Sequence, residues 1–445
     1  LYSGREKDSG INIRSRNLFA PALGIGKSAK RTLNKMKLKS VFTFAAVSGL
    51  LFASCADSYE GAPKKPEGSQ QTTQVVPVAV TKSNTMQVYA HYMPWFETTT
   101  SNPKNEGKWG YHWTMKNCDP NKTDANGKRQ IASHYYPQTG PYASGDEAVL
   151  DYQCLLMKYA GLDGVMVDWY GINSDNSIAL HKSNTEALFR ALKRAGLKMS
   201  VVYEDRTLEG VTDKVGTVRQ DLRYLAENFF KDDSYVKVES RPLLLDFGPI
   251  QMESPKDWYR SFSILTTKPM FLVLEGKMGS VNNATYSDNA QGVYTWVNPN
   301  PNYAIAKDYK CFVGGAMPSF WDYYKEGEGG TGYQTYNAEN GALFQRQLDA
   351  ARQAGLKYLQ ISTWNDYGEG TTIEPTLEYG YKYLLMLQKF TGVSYQQADL
   401  ELIYRWYQAR VAQPNNAKVK EAYNALVQLK TAEAKALLDG INGKN

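Results

Sequence analysis

From residue 87 onward the chain alternates short apolar runs with longer segments whose apolar residues recur at helical spacing. Three of these segments end in Ala-Gly-Leu, where a Gly favours the left-handed conformation that closes a helix. An apolar run follows each time with little polar interruption, as in parallel strands that are buried on both faces. The joins are Gly161 before residues 164–169, Gly196 before residues 199–204 and Gly355 before residues 358–364.

Five further runs have the composition of strands, which brings the number to eight. They are residues 87–92, 243–246, 270–274, 292–296 and 311–316. Eight strand–helix units within roughly 300 residues predict an α/β fold of the (β/α)8 TIM-barrel type, which we expect over residues 86–397. The alternative is a doubly wound open sheet, but no Gly-x-Gly-x-x-Gly pattern follows the first strand.

The two ends of the chain differ from this pattern. Residues 398–445 predict a helical extension, with helices over residues 400–413 and 418–438 separated by Pro414-Asn415-Asn416. Residues 1–35 are polar and basic, and we interpret them as upstream read-through or a mis-assigned start. Residues 36–55 have the basic start and short apolar stretch of a signal peptide, and residues 56–85 have the composition of a flexible tether.

The signal-peptide segment ends in Leu-Phe-Ala-Ser-Cys, which resembles a lipobox of the kind found in Bacteroidetes lipoproteins. This resemblance implies that Cys55 is lipidated and that the chain is held at a membrane by its lipid anchor only. We therefore expect a lipoprotein at the outer membrane or cell surface of a Gram-negative bacterium, with the periplasmic face as the alternative. A monomer is expected.

Charge argues against a nucleic-acid partner. The formal net charge is +6, but residues 1–55 contain ten Lys and Arg against two Asp and Glu, a net of +8. The remaining chain has 41 against 43, a net of −2, so it offers no general attraction for phosphate.

The remaining cysteines and the histidines give no sign of a metal or cofactor site. Cys118, Cys154 and Cys311 have no Cys-x-x-Cys spacing, which leaves room for one disulfide but not for a zinc site. None of the four histidines pairs at metal-ligand spacing. They are His91, His112, His134 and His181. We expect no cofactor.

Acidic residues follow the predicted strands at their carboxyl ends, which meet on one face of a barrel and form its active site. They are Asp168, Glu204, Asp246, Glu275 and Asp366, and a structural role is the stronger alternative for Asp246 and Glu275. Aromatic residues accompany them, and such rings stack on the C–H faces of sugars while carboxylates bind the hydroxyls. The aromatic candidates are Tyr92, Trp95, Trp169, Tyr170, Tyr294, Trp296, Trp321 and Trp364.

The chemistry points to residues 362–375, STWNDYGEGTTIEP, after the last predicted strand. Asp366 and Glu369 are three apart on a Gly-rich turn, so both carboxylates can face one cleft. Because two close carboxylates repel, we expect one pKa to rise and the other to stay low, which provides an acid and a base for glycoside hydrolysis. Glu374 is a third carboxylate, either a structural anchor or a distal substrate contact.

Several segments, in order over residues 87–376, resemble glycoside hydrolase family 99, the endo-α-mannosidases and endo-α-1,2-mannanases. The segment WNDYGEGTTIE at 364–374 is similar to the family signature, and YAHYMPWF at 89–96 resembles its opening Tyr-Tyr-Pro-Trp-Tyr motif. HYYPQTGPY at 134–142 resembles its Tyr-Pro-x-x-Gly-x-Tyr loop, and VDWY at 167–170 and GVYT at 292–295 also fit.

The resemblance implies a TIM barrel and retaining hydrolysis of an α-mannan without an enzyme nucleophile. Asp366 would deprotonate the sugar 2-hydroxyl, which attacks C1, and Glu369 would protonate the leaving oxygen and then activate water. Tyr294 would be a hydroxyl donor near the reacting sugar. The substrate contacts that we expect are Tyr92, Trp95, Asp168, Tyr170, Glu204, Tyr294, Trp321, Trp364 and Glu374.

Two departures keep alternatives open. Asp366 stands where the family has Glu, and Val202 stands where it has His, two residues before the acid that follows the third strand. The shorter Asp366 is instead similar to the motif of the related family 71 α-1,3-glucanases. A family 71-like glucanase, an enzyme for another surface polysaccharide and a non-catalytic glycan-binding lipoprotein are therefore the alternatives.

Overall fold

The structure is a computed structural model that describes residues 75–176 and 180–442. Its centre is a closed barrel of eight parallel strands, in which each strand pairs with the next and the last pairs with the first. The strands are β1 (Gln87–Tyr92), β2 (Gly164–Trp169), β3 (Lys198–Tyr203), β5 (Arg241–Asp246), β6 (Met270–Leu274), β7 (Gly292–Tyr294), β8 (Cys311–Ala316) and β9 (Tyr358–Ile361). The predicted TIM barrel is confirmed.

The near-continuous apolar runs form these strands because both faces of each strand are covered, one by the barrel interior and one by helices. All six residues of β2 are buried, and so are all six of β8. The predicted runs through Trp296 and Trp364 extend past the ends of β7 and β9, so these two rings belong to the loops at the carboxyl face. A short strand, β4 (Lys237–Val238), was not predicted and pairs antiparallel with β5.

Helices connect most of the strands. They are α1 (Tyr111–Thr114), α2 (Glu147–Tyr159), α3 (His181–Ala195), α4 (Lys214–Asn228), α5 (Pro255–Phe262), α6 (Met278–Val281), α7 (Ala342–Gln353) and α8 (Lys382–Thr391). Gly196 closes α3 in the left-handed conformation with a φ of 76°, as its position in the sequence predicts.

The carboxyl-terminal extension consists of α9 (Gln397–Ala412), α10 (Ala417–Val427) and α11 (Thr431–Asn442). The single helix predicted over residues 418–438 is wrong, because the chain turns between α10 and α11 at Leu429, whose φ is 64°. The extension packs on α2, where the hydroxyl of Tyr159 donates to the carbonyl of Leu426 at 3.0 Å. The indole of Trp406 donates to Val419 O at 2.9 Å and joins α9 to α10.

The predicted tether extends to residue 85, but residues 75–85 lie against the barrel. Val78 N–H donates to Val427 O at 3.3 Å, Asn84 N–H donates to Thr391 O at 3.1 Å, and Lys82 pairs with Asp163 at 2.5 Å. Residues 1–74, with the predicted signal peptide and Cys55, lie outside the described residues. Within the described ranges no helix is long and apolar enough to cross a membrane.

Candidate active site

The loop after β9 carries Asp366 and Glu369 at the carboxyl end of the barrel. Asn365 fastens this loop to the one after β1, because its side-chain oxygen accepts from Met93 N–H at 2.8 Å and its amide donates to Met93 O at 3.0 Å. Trp364 N–H donates to His91 O at 2.7 Å, which continues the contact with β1. The two carboxylates therefore stand on a loop that is held by the barrel wall.

A local turn places the carboxylate of Asp366 against the backbone of Glu369. The Oδ1 of Asp366 accepts from the backbone N–H of Glu369 at 3.0 Å, and Asp366 N–H donates to the hydroxyl oxygen of Thr363 at 2.7 Å. Asp366 and Glu369 are 3% and 4% exposed, so each retains only a narrow opening to solvent. The structure thus places both residues on one hydrogen-bonded turn after β9.

The expected split of one raised and one low pKa is wrong, since both values are raised. Burial raises the pKa of Asp366 to about 7, against the opposing effect of backbone donors at Glu369 and Gly368. Burial, followed by the charge of Asp366, raises the pKa of Glu369 well above its usual range. Removal of both carboxylates from water outweighs the difference between their environments.

Sequence reasoning missed Tyr324, which reaches Glu369 from the segment after β8. Its hydroxyl donates to Oε1 of Glu369 at 3.3 Å, and this hydrogen bond opposes the rise in the pKa of the carboxyl. Two backbone hydrogen bonds join this segment to the loop after β9. The backbone N–H of Trp321 donates to Glu369 O at 3.0 Å, and that of Tyr323 donates to Gly368 O at 2.8 Å. Nothing in the local spacing connects Tyr324 with a residue 45 positions later.

Two more predicted acids adjoin this pair. Asp168 and Glu204 are 2% and 7% exposed, and burial is the first cause that raises the pKa of each. Repulsion by Asp366 is the next cause at Asp168, and repulsion by Asp168 is the next at Glu204, while the charge of Arg206 opposes both. These carboxyls therefore form one cluster that favours protonation.

His181 is a second residue that sequence reasoning missed. Its Nε2 lies 3.9 Å from Oδ2 of Asp168, and its ring meets Tyr170 edge to face at 4.5 Å. Burial lowers the pKa of His181 well below its usual value and raises that of Asp168. Both groups are thus favoured in their neutral forms, and the contact is not an ion pair.

The other two strand-end acids, Asp246 and Glu275, differ in their surroundings. Asp246 is fully buried at the end of β5, and its backbone carbonyl accepts from the hydroxyl of Tyr294 at 3.1 Å. Glu275 is exposed. Partial removal of its carboxyl group from water is the one cause that raises its pKa. Burial, followed by the charges of Asp205 and Glu204, raises the pKa of Asp246, so the acidic floor expected from the strand ends includes this residue, whereas Glu275 is exposed.

Several predicted substrate contacts are core residues instead. Tyr92, Tyr294 and Trp364 are 0% exposed. The Tyr92 hydroxyl donates to Oε1 of Gln153 at 2.7 Å, which fixes it inside the barrel wall. Tyr92 and Trp364 belong to the main hydrophobic core. Tyr294 instead lies among the strand-end acids, since burial, followed by the charges of Asp246, Glu204 and Asp168, raises its pKa.

Glu374 is an internal anchor rather than a surface contact. Its Oε2 accepts from the hydroxyls of Tyr142 and Tyr367, each at 2.8 Å, and its Oε1 accepts from the amide of Gln153 at 2.6 Å. Burial raises the pKa of Glu374 to about 7 against these three donors. Of the two roles that the sequence left open, the structure supports the anchor.

Of the other predicted aromatics, Trp169 is 0% exposed, whereas the predicted substrate contacts Trp95, Tyr170 and Trp321 lie nearer the surface. Trp95 is 9% exposed and stacks on His112 at 4.0 Å. Tyr170 is half-buried, and Trp321 is 44% exposed and stacks on His134 at 3.7 Å. Trp321 therefore has the most accessible ring of the predicted contacts.

Metal-ligand geometry is not present in the part of the chain that the structure describes, where no three His, Cys, Asp or Glu side chains are grouped to hold an ion. Cys118, Cys154 and Cys311 are buried and free, so the one disulfide that the sequence allowed is not formed.

Comparison with known proteins adds an independent result. The sequence model of glycosyl hydrolase family 99 matches residues 84–388. The chain is 22% identical over 338 residues to glycoprotein endo-alpha-1,2-mannosidase of Xenopus laevis, covering 65% of this chain and 70% of that protein. It is 23% identical over 330 residues to a human glycoprotein endo-alpha-1,2-mannosidase-like protein, covering 65% and 68%.

A solved structure is similar as well. The GH99 endo-alpha-mannosidase from Bacteroides thetaiotaomicron superposes with a TM-score of 0.53 at 19% identity, over 69% of this chain and 97% of that one. At this identity the likeness supports the barrel fold.

Proposed function

This chain belongs to glycosyl hydrolase family 99 and is a glycoside hydrolase, and from this premise we propose that it cleaves α-mannan-type glycans within the chain, as an endo-α-mannosidase, with retention of configuration. One observation carries the mechanism: Asp366 and Glu369 share a hydrogen-bonded turn at the carboxyl end of the barrel. The mannosidase names of the relatives from Xenopus laevis and human support the substrate class.

In the first step the carboxylate of Asp366 takes the proton of the sugar 2-hydroxyl, and the 2-oxygen attacks C1. The bond from C1 to the glycosidic oxygen breaks, and the carboxyl of Glu369 gives its proton to that oxygen. The products are a 1,2-anhydro sugar, a free leaving alcohol, a protonated Asp366 and an ionised Glu369.

In the second step the ionised Glu369 takes a proton from water, whose oxygen attacks C1. The bond from C1 to the 2-oxygen opens, and Asp366 returns its proton to the 2-oxygen. Both carboxyls recover their starting forms, and two inversions at C1 leave the configuration unchanged.

The donors around the pair support this assignment. Two backbone N–H groups donate to Asp366 and stabilise its ionised form, which a base needs. Glu369 has the hydroxyl of Tyr324 and the adjacent charge of Asp366, and the latter favours the protonated form that an acid needs. Asp366 is one methylene shorter than the Glu of the family. The hydrogen bond from Glu369 N–H orients its carboxylate within the turn.

The expected surroundings of the reaction remain part of the proposal. Asp168, Glu204, Tyr170, Trp95 and Trp321 are proposed to contact the glycan. Cys55 is proposed to carry a lipid that anchors a monomer at the outer membrane, on the lipobox sequence alone. Incorporation of labelled palmitate into the wild type but not into Cys55→Ser tests the anchor, and equal labelling of both contradicts it.

The test of activity incubates the full chain with yeast α-mannan and, separately, with α-1,3-glucan, followed by oligosaccharide chromatography. We expect discrete oligosaccharides from mannan and α-configured reducing ends in NMR spectra taken before mutarotation. Glu369→Gln should abolish release, whereas Glu275→Gln, the same change at an exposed strand-end acid, should not.

Three outcomes would contradict the proposal. Release from glucan alone would indicate a family 71-like specificity. Activity that survives in Glu369→Gln would remove the acid role from this residue. Binding of mannan with no release of sugar by a folded wild type would favour a glycan-binding protein.

A further inference from the structure

Trp321 differs from every other tryptophan of the chain in its exposure. All nine tryptophans lie within the described residues, and Trp321 alone is exposed, at 44%. Trp109 and Trp296 are half-buried, and the other six are buried. An exposed indole on a segment that is hydrogen-bonded to the Glu369 backbone offers an apolar face on which a sugar can stack.

The ring is held in place before any ligand arrives. The imidazole of His134 covers one face, at 3.7 Å between centroids and 11° between planes. The backbone N–H of Trp321 donates to Glu369 O at 3.0 Å. The backbone at Gly370 also packs closely against it, since an added Cβ there would lie 2.3 Å from Trp321 O. A pre-ordered ring binds with a smaller loss of conformational entropy than a mobile one.

The segment that carries this ring runs beside Glu369. The backbone N–H of Trp321 donates to the backbone carbonyl of Glu369, and three residues later the hydroxyl of Tyr324 donates to the Glu369 carboxylate. Asp168, in contrast, lies near the end of β2 and is repelled by Asp366. Trp321 therefore lies beside the backbone of Glu369, the residue proposed as the acid.

We propose that Trp321, backed by His134, is the stacking platform for the departing sugar. This inference rests on the proposed function, in which Glu369 protonates the glycosidic oxygen, so that the sugar beyond that oxygen lies on the Glu369 side. The ligand is a hexopyranose whose C–H face covers the open face of the indole. The enzyme then requires a saccharide leaving group, which is the property of an endo-acting hydrolase.

The experiment compares two substrates that share the sugars before the cleaved bond. One is a manno-oligosaccharide, and the other is the corresponding glycosyl fluoride, in which fluoride replaces the leaving sugar. For the full chain, Trp321→Ala should lower kcat/KM for the oligosaccharide about tenfold, mostly through KM, and leave the fluoride within about twofold. Trp321→Phe should recover part of the loss.

His134→Ala should have the same selectivity with a smaller effect, because it removes the support and not the platform. Tyr259→Ala is the matched control, because Tyr259 is an aromatic residue on α5 that is 55% exposed. Equal losses on both substrates, or no loss on either, would overturn the platform.

A failure of the proposed function is distinguishable from this. If the wild type cleaves neither substrate, the binding of mannan can still be measured. Electrophoresis in gels that contain mannan then compares the retention of the Trp321→Ala protein with that of the wild type. Weaker retention than that of the wild type supports a sugar platform, and unchanged retention rejects it.

Discussion

The hydroxyl of Tyr324 donates to Oε1 of Glu369 at 3.3 Å, and this hydrogen bond connects the segment after β8 with the loop after β9. It is a side-chain hydrogen bond to the proposed acid from outside its own loop. A donor to a carboxylate stabilises its ionised form, so Tyr324 opposes the effect of burial on the pKa of Glu369. The balance of these effects determines the pH range in which Glu369 holds its proton.

Tyr324→Phe should therefore move the alkaline limb of kcat/KM to higher pH by up to about one unit, because loss of the donor raises the pKa of Glu369 further. The pH profile of mannan cleavage measures this shift. Tyr336→Phe removes a hydroxyl from the same segment and is the control. An unchanged alkaline limb in Tyr324→Phe would mean that Glu369 is not the titrating acid.

Asp366→Asn separates the two tasks of this residue, since an amide oxygen can still accept from Glu369 N–H but cannot act as a base. We expect kcat/KM to fall about 100- to 10,000-fold with little change in melting temperature. Asp366→Ala should lose a similar activity and, in addition, about 1 kcal/mol of stability with the turn. Cleavage by Asp366→Asn near the wild-type rate would assign the base elsewhere.

Glu374→Gln tests the buried anchor through the pH dependence of stability. The folded pKa is raised from 4.5 to about 7, so the protonated form contributes stability that is complete below pH 4.5 and lost as the pH rises through about 7. Between pH 5 and pH 8 the wild type should lose up to about 3 kcal/mol of unfolding free energy relative to Glu374→Gln. Melting temperatures of both proteins across this pH range measure the difference. A difference that is constant with pH would show that Glu374 is ionised throughout.

Gly370→Ala tests the close contact between the loop that carries Asp366 and Glu369 and the segment that carries Trp321. The φ of Gly370 is +67°, and an added Cβ would lie 2.3 Å from Trp321 O. Gly210→Ala is the matched control, because Gly210 has a φ of +72° and open space around it. Both variants pay about 1 kcal/mol for the left-handed backbone.

Gly370→Ala should lose roughly 2 kcal/mol more than Gly210→Ala in chemical denaturation, and most of its activity. Equal losses in the two variants would mean that the backbone at Trp321 moves away without cost.

The local pattern of apolar and polar residues predicts much of the fold of this protein. The eight strands could be predicted because buried parallel strands need unbroken apolar runs, and β1, β6 and β8 begin and end where those runs do. The positions of Asp366 and Glu369 followed from the same rule, because residues after a parallel strand lie at the active face of a barrel. The break between α10 and α11 was missed, since Leu429 in a left-handed conformation has no sequence signal.

The sequence by itself determined the barrel and the loop that carries the two acids, because both depend on periodicity and short spacing. Tertiary structure alone decided what surrounds those acids. Tyr324 and His181 reach the site across long separations, while Tyr92 and Glu374 turn inward to partners in the core. Burial and cross-loop hydrogen bonds arise only when distant segments pack together, and they set the protonation of the site.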